Sequence, residues 1–129
     1  MRRALAAVLL AFCGCATAPK IVIEREPPGL PALADGVYSG RFIALFEMSW
    51  FTPCGTNYRW WLDNDGYQAV FRVARDHDYK RGKNFWVRVR GTPSATGHWG
   101  HLGDYSRNFH AREALEAHDY GPGDCDGKP

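Results

Sequence analysis

The run Gly97-His98-Trp99-Gly100-His101-Leu102-Gly103-Asp104 places two imidazoles and a carboxylate at every third residue. Folded inward, His98, His101 and Asp104 would offer nitrogen and oxygen donors of the kind that bind Zn²⁺ or Cu²⁺. His110 and His118 lie further along the chain. A turn whose histidines bond to backbone or water is the competing expectation, because structural zinc normally takes four fixed ligands. The acidic run Asp63-Asn64-Asp65-Gly66 fails as a calcium loop. EF-hand spacing would put Trp61 first and Arg72 last, and neither binds calcium. It reads as a turn.

Aromatic residues supply a second kind of chemistry. Trp60 and Trp61 are adjacent, so on a strand they face opposite sides. One is expected in the core, and the other, taken as Trp61, points outward near Arg59 and Asp63. Trp86, Arg88 and Arg90 share the outward side of another strand. Trp61, Trp86, Arg88 and Arg90 would together form a platform on which a sugar ring or a partner protein stacks. Packing of these side chains against loops or tether is the alternative, since arginine stems often cover apolar surface. The chain lacks a nucleophile elbow, a phosphate loop and His-Glu-X-X-His. A non-enzymatic protein is expected, with no required cofactor.

These residues sit in a chain of 129, of which 45% are hydrophobic and 14% aromatic. That suffices for one small core, and 14 Gly with 8 Pro favour short β elements over a helical bundle. The formal charge of +2 includes Arg2 and Arg3, without which 14 basic residues face 14 acidic ones. Nucleic-acid binding usually needs a basic excess to displace counterions, so that partner class is disfavoured.

Arg2 and Arg3 open a leader whose apolar run, Ala4 to Phe12, is too short to span a bilayer. The sequel Phe12-Cys13-Gly14-Cys15-Ala16 resembles the lipobox of bacterial lipoproteins. That resemblance implies a signal peptide over 1–14, cleavage after Gly14 and acylation of Cys15. Ala16, in place of Asp, implies the outer membrane, facing the periplasm. An ordinary cleaved signal ending at Ala16-Thr17-Ala18 is the alternative, and Pro19 directly after it argues against that cut. With Cys13 removed and Cys15 acylated, Cys54 and Cys125 remain, and two thiols in an oxidising compartment read as one disulfide. A reactive thiol is the other reading, and neither cysteine has an evident basic partner.

Residues 15–34 carry Pro27, Pro28 and Pro31 and read as a semi-rigid tether lifting the domain off the lipid. The domain itself is placed at 35–126. From Val37 to Phe51 alternation predicts one long bent strand, with Tyr38, Phe42, Ala44, Phe46, Met48 and Trp50 on one side. Tyr58 to Asp63 and Phe85 to Arg90 predict further strands. Tyr67, Val70, Phe71 and Ala74 make a helical stripe, although a strand across Ala69 to Val73 would also fit. Gly91 to Gly103 reads as a loop, Tyr105 to Ala111 as a last strand, and Arg112 to His118 as a closing helical turn.

This order predicts a mainly β fold, a five-stranded OB-like barrel with one short helix. The strand ending Phe51-Thr52-Pro53-Cys54-Gly55, the segment Phe85-Trp86-Val87-Arg88-Val89-Arg90-Gly91 and the late Gly-Pro-Gly-Asp-Cys resemble the OB-type C-terminal domain of NlpE-like envelope lipoproteins. The resemblance implies a membrane-anchored envelope protein with a structural or binding role toward another envelope protein or a glycan. The Cys-X-X-Cys of the N-terminal domain of that family is absent here, so roles tied to it do not carry over. A periplasmic Zn/Cu-binding protein using His98 and His101 is the alternative.

Overall fold

The computed structural model describes residues 14–15, 17 and 23–126. Most of the expected leader lies outside the described residues. Cys15 is exposed.

Five strands close into a barrel. They are β1 (Gly36–Leu45), β2 (Met48–Pro53), β3 (Trp60–Trp61), β4 (Phe85–Pro93) and β5 (Arg107–Asp119). Their order around the barrel is β1-β2-β3-β5-β4, and β4 returns to pair with β1. All pairings are antiparallel except β3 with β5. One helix, α1 (Asn64–Asp76), connects β3 to β4 and packs chiefly on β5. This is the expected OB-like barrel.

The helical stripe holds, and the turn expected just before it serves as the helix start. The Asp63 carboxylate accepts the Gly66 N–H at 2.8 Å, satisfying a donor that the first helical turn leaves free. Val70 and Ala74 are buried, with Tyr67 and Phe71 packed partly against the core. Beyond the helix, the Tyr79 hydroxyl accepts from the Ala44 N–H at 2.7 Å and donates to the Ala44 carbonyl. Burial pushes its phenol up from the ordinary value. Phe42, Phe51, Phe85, Val87, Val89 and Phe109 are fully enclosed in the barrel.

Three boundaries differ from expectation. The long strand over 37–51 is a hairpin, with Leu45 opposite Met48 and Glu47 at φ 58° in the turn. A two-residue turn inverts the parity of the alternation. Inward residues are therefore Phe42 and Ala44 before it but Ser49 and Phe51 after it, and Met48 and Trp50 face outward. Second, the strand expected over Tyr58 to Asp63 pairs only at Trp60 and Trp61. Third, Arg112 to His118 is not helical but extends β5, because nine residues of β4 give it a ladder to complete. Register shifts at Arg88/Val89 and Arg90/Gly91 mark where the long pair bends around the barrel. Glycine at position 40 lets β1 pass close to β2. A Cβ there would meet the Phe51 ring at 2.6 Å.

The expected spacer is not free in its second half. The Leu33 N–H donates to the Pro93 carbonyl at 3.1 Å, and the Thr96 N–H to Leu30 at 3.0 Å. Glu26 is buried, and its carboxylate accepts from Trp60 Nε1 (2.8 Å), Ser106 Oγ (2.7 Å) and Arg107 Nε (2.8 Å). Arg107 is also enclosed and donates to the carbonyls of Pro31 and Ser94. A buried charge needs such a set of partners. Cys54 and Cys125, 71 residues apart, form the expected disulfide.

Candidate functional site

Trp60 points into the barrel, so its neighbour Trp61 emerges on the outer face of β3. Directly across β2 stands Trp50, also half-buried and outward. Tyr105 lies against both, its ring 5.0 Å from Trp61 and 6.2 Å from Trp50. The Arg59 guanidinium sits 4.7 Å over the Trp50 ring, within cation–π range. Tyr105 is buried under this cluster, which pushes its phenol above the ordinary value. Gly100, at φ 72°, closes down on the same rings. A side chain there would meet both Trp61 and Tyr105 at 2.6 Å.

Beside Trp61 opens a cleft of about 260 Å³. Leu45, Met48 and Trp61 give it an apolar wall, while Glu47, Asn64 and Arg81 supply donors and acceptors. The β1–β2 turn forms one rim. The loop from Ser94 to Ser106 stands next to the other through Gly100 and Tyr105. A flat aromatic wall with convergent polar groups suits a ligand with one apolar and one hydroxylated face. In OB barrels the β2–β3 face and its two flanking loops are where oligosaccharides and oligonucleotides bind.

The four residues expected to share one platform do not share one. Trp61 is level with Asn108 on β5, whereas Trp86 is level with His118, ten residues further on. Trp86 is only 6% exposed. His118 stacks on it with centroids 4.6 Å apart, and Gly123 and Asp124 close the adjoining groove of about 450 Å³. Arg88 pairs with Glu116 and Arg90 with Glu113, each at 3.4 Å across the β4–β5 ladder. These two arginines are engaged in cross-strand pairs on the barrel wall, away from Trp61.

The histidine loop is organised by a residue that sequence reasoning missed. Arg25 Nη2 lies 2.7 Å from His98 Nδ1 and donates to the Gly103 carbonyl at 2.9 Å. Arg25 thus engages the Nδ1 side of His98 and ties the imidazole to the loop backbone. His101 sits exposed in the short helical turn His101–Gly103, and Asp104 is exposed too. His110 lies 3.5 Å from Asp63. Among the described residues, no group of three or more His, Cys, Asp or Glu is arranged to hold a metal ion.

Arg59 was expected near the outward tryptophan, whereas Trp50, Tyr105 and the Glu26–Arg107 pair were not foreseen. The available signal for Trp50 was its position after the turn at Phe46-Glu47, which moves it to the face shared with Trp61. Comparison with known proteins gives no match among protein-family models, curated proteins or solved structures.

Proposed function

We propose that this protein is a lipid-anchored bacterial envelope protein, held to the outer membrane through Cys15 and facing the periplasm. Its barrel acts as a non-enzymatic module that binds an envelope glycan in the Trp61 cleft. The leader and its lipobox resemblance support the address, as do an exposed Cys15 and a Cys54–Cys125 disulfide suited to an oxidising compartment. One observation carries the binding role: Trp61 walls an open cleft whose rim bears Glu47, Asn64 and Arg81. Without Arg2 and Arg3 the 14 basic and 14 acidic residues balance, which disfavours nucleic acid as the occupant.

The test is titration of the full-length protein, solubilised in detergent, with disaccharide-peptide fragments of peptidoglycan. Saturable binding weakened on the order of tenfold by Trp61→Ala, as expected for loss of one stacking wall, supports the reading. A flat isotherm removes the glycan. Mass spectrometry checks the address separately, because an unmodified thiol at Cys15 would remove the anchor.

A further inference from the structure

The outer surface of the β1–β2 hairpin carries a second groove, away from the turn that rims the Trp61 cleft. Arg41 on β1 stands directly opposite Thr52 on β2, four pairs back from the Leu45–Met48 turn. Their neighbours Phe42 and Phe51 fill the barrel, so Arg41 and Thr52 project outward. Thr52 is nonetheless only 5% exposed, and its hydroxyl has no hydrogen-bond partner. A hydroxyl withdrawn from water without a partner costs free energy, and an acceptor seated beside it would relieve that cost. Arg41 and Thr52 line a groove of about 270 Å³ that is bordered by the Cys54–Cys125 disulfide.

Charge selects the occupant. Arg41 is the only charged residue lining this groove, and among the described residues its guanidinium forms no ion pair. The Tyr120 ring lies 5.8 Å from it, within cation–π range, which positions the cation without neutralising it. The groove beside Trp86 differs, because Arg88 there pairs with Glu116 and His118 lies 3.9 Å from Asp124. The exposed Asn57 adds an amide at the rim of the Arg41 groove. A guanidinium fork, a hydroxyl and an amide are donors suited to an anion. A single cation matches a single negative charge, which favours a carboxylate over a phosphate. Pro53, Tyr120 and the disulfide give the groove an apolar wall for a small substituent on that carboxylate.

We infer that this groove is a carboxylate-binding site, separate from the Trp61 cleft, with Arg41 as the charge partner and Thr52 as a second donor. Its size suits a small organic acid or the end of a peptide chain, and both present the same group. It requires neither the lipid anchor nor the glycan reading.

The test is an NMR titration of the full-length protein in detergent, read at the Arg41 side-chain and Thr52 amide resonances. The probes are N-acetyl-alanyl-alanine, the same dipeptide as its C-terminal amide, acetate and inorganic phosphate. The free acid should bind saturably and the amide about tenfold more weakly or worse, since only the acid accepts charge-assisted bonds. Arg41→Gln should lose the acid by a similar factor. Thr52→Val should weaken binding several-fold yet leave the melting temperature no lower, because the hydroxyl it removes has no partner. Tighter binding of the acid than of acetate assigns a peptide end, and equal affinities assign a small acid. Failure of both carboxylates to bind, equal binding of acid and amide, or phosphate binding tighter than either carboxylate overturns the proposal. Unchanged affinity in a folded Arg41→Gln variant does so too.

Discussion

Trp61 and Trp86 both leave their strands on the outer side of the same barrel and each borders a groove, yet Trp61 is half-buried and Trp86 almost fully covered. Around Trp86 the polypeptide supplies its own cover. His118 stacks on the indole, the segment ending at Cys125 closes in, and the disulfide to Cys54 ties that segment to the end of β2. Around Trp61 the 94–106 loop supplies Gly100 and Tyr105, and more of the indole is left open to the cleft beside it. An outward position on a strand therefore sets direction alone. Whether the side chain meets solvent depends on segments distant in sequence.

The comparison breaks most severely at Glu26, whose carboxylate stands behind the Trp61 side by holding Trp60, Ser106 and Arg107. Glu26→Ala leaves the enclosed Arg107 without its counter-charge, and chemical denaturation should report a loss of about 3–5 kcal/mol. Trp61 should change its emission in the folded variant as the 94–106 loop loosens. An unaltered denaturation midpoint would show that the ion pair contributes nothing. Next in size is Cys54→Ser with Cys125→Ser. Removing a crosslink that spans 71 residues should cost about 4 kcal/mol in the chain-entropy account. It should also open Trp86 to iodide quenching while leaving Trp61 as it was, making the two tryptophans alike.

The smallest effect belongs to Asp35, an exposed residue at the start of β1. The Thr92 hydroxyl, and then the Arg112 guanidinium, hold its carboxyl below the usual carboxylate value. A lowered folded-state value means that the contribution is present above the unfolded value near 3.8 and is lost as pH falls through the folded one. Asp35→Asn should lower the melting temperature slightly at neutrality and flatten the acid limb of its profile below about pH 4, so that the two proteins converge in acid. An identical acid limb in the two proteins would sink this assignment.

Features set by local pattern were legible in the sequence. The stripe Tyr67, Val70, Phe71, Ala74 identifies α1, and Phe85, Val87 and Val89 identify the core face of β4. The disulfide followed from cysteine arithmetic. Features set by distant partners were not. The Ala-, Leu- and Glu-containing segment from Arg112 to His118 has helical preference, which pairing with β4 overrides. Three prolines made residues 27–31 resemble a spacer, and nothing local announced that Glu26 would meet Arg107, 81 positions away.

The error at Phe46-Glu47 is instructive in another way. A turn without Gly or Asn gave no punctuation, and large apolar residues at 48 and 50 imitated a continued core face. They imitated it because the outer surface there is itself apolar, which is the property that makes it a candidate site. Of the expected platform, Trp61 lines one cleft, Trp86 and Arg88 line another groove, and Arg90 pairs with Glu113 on the barrel wall, a division that spacing does not reveal.

The contact between Glu26 and Arg107 also imposes a timetable. During synthesis the glutamate leaves the ribosome some 80 residues ahead of its arginine, and Cys54 precedes Cys125 by nearly as many. Both clasps shut only once the final strand is available, and contacts this distant form slowly because a long loop must first be closed. Until that moment the early half of the chain has neither its counter-ion nor its crosslink. A nascent polypeptide interrupted before Arg107 is therefore a substrate for chaperones and proteases rather than a shortened barrel.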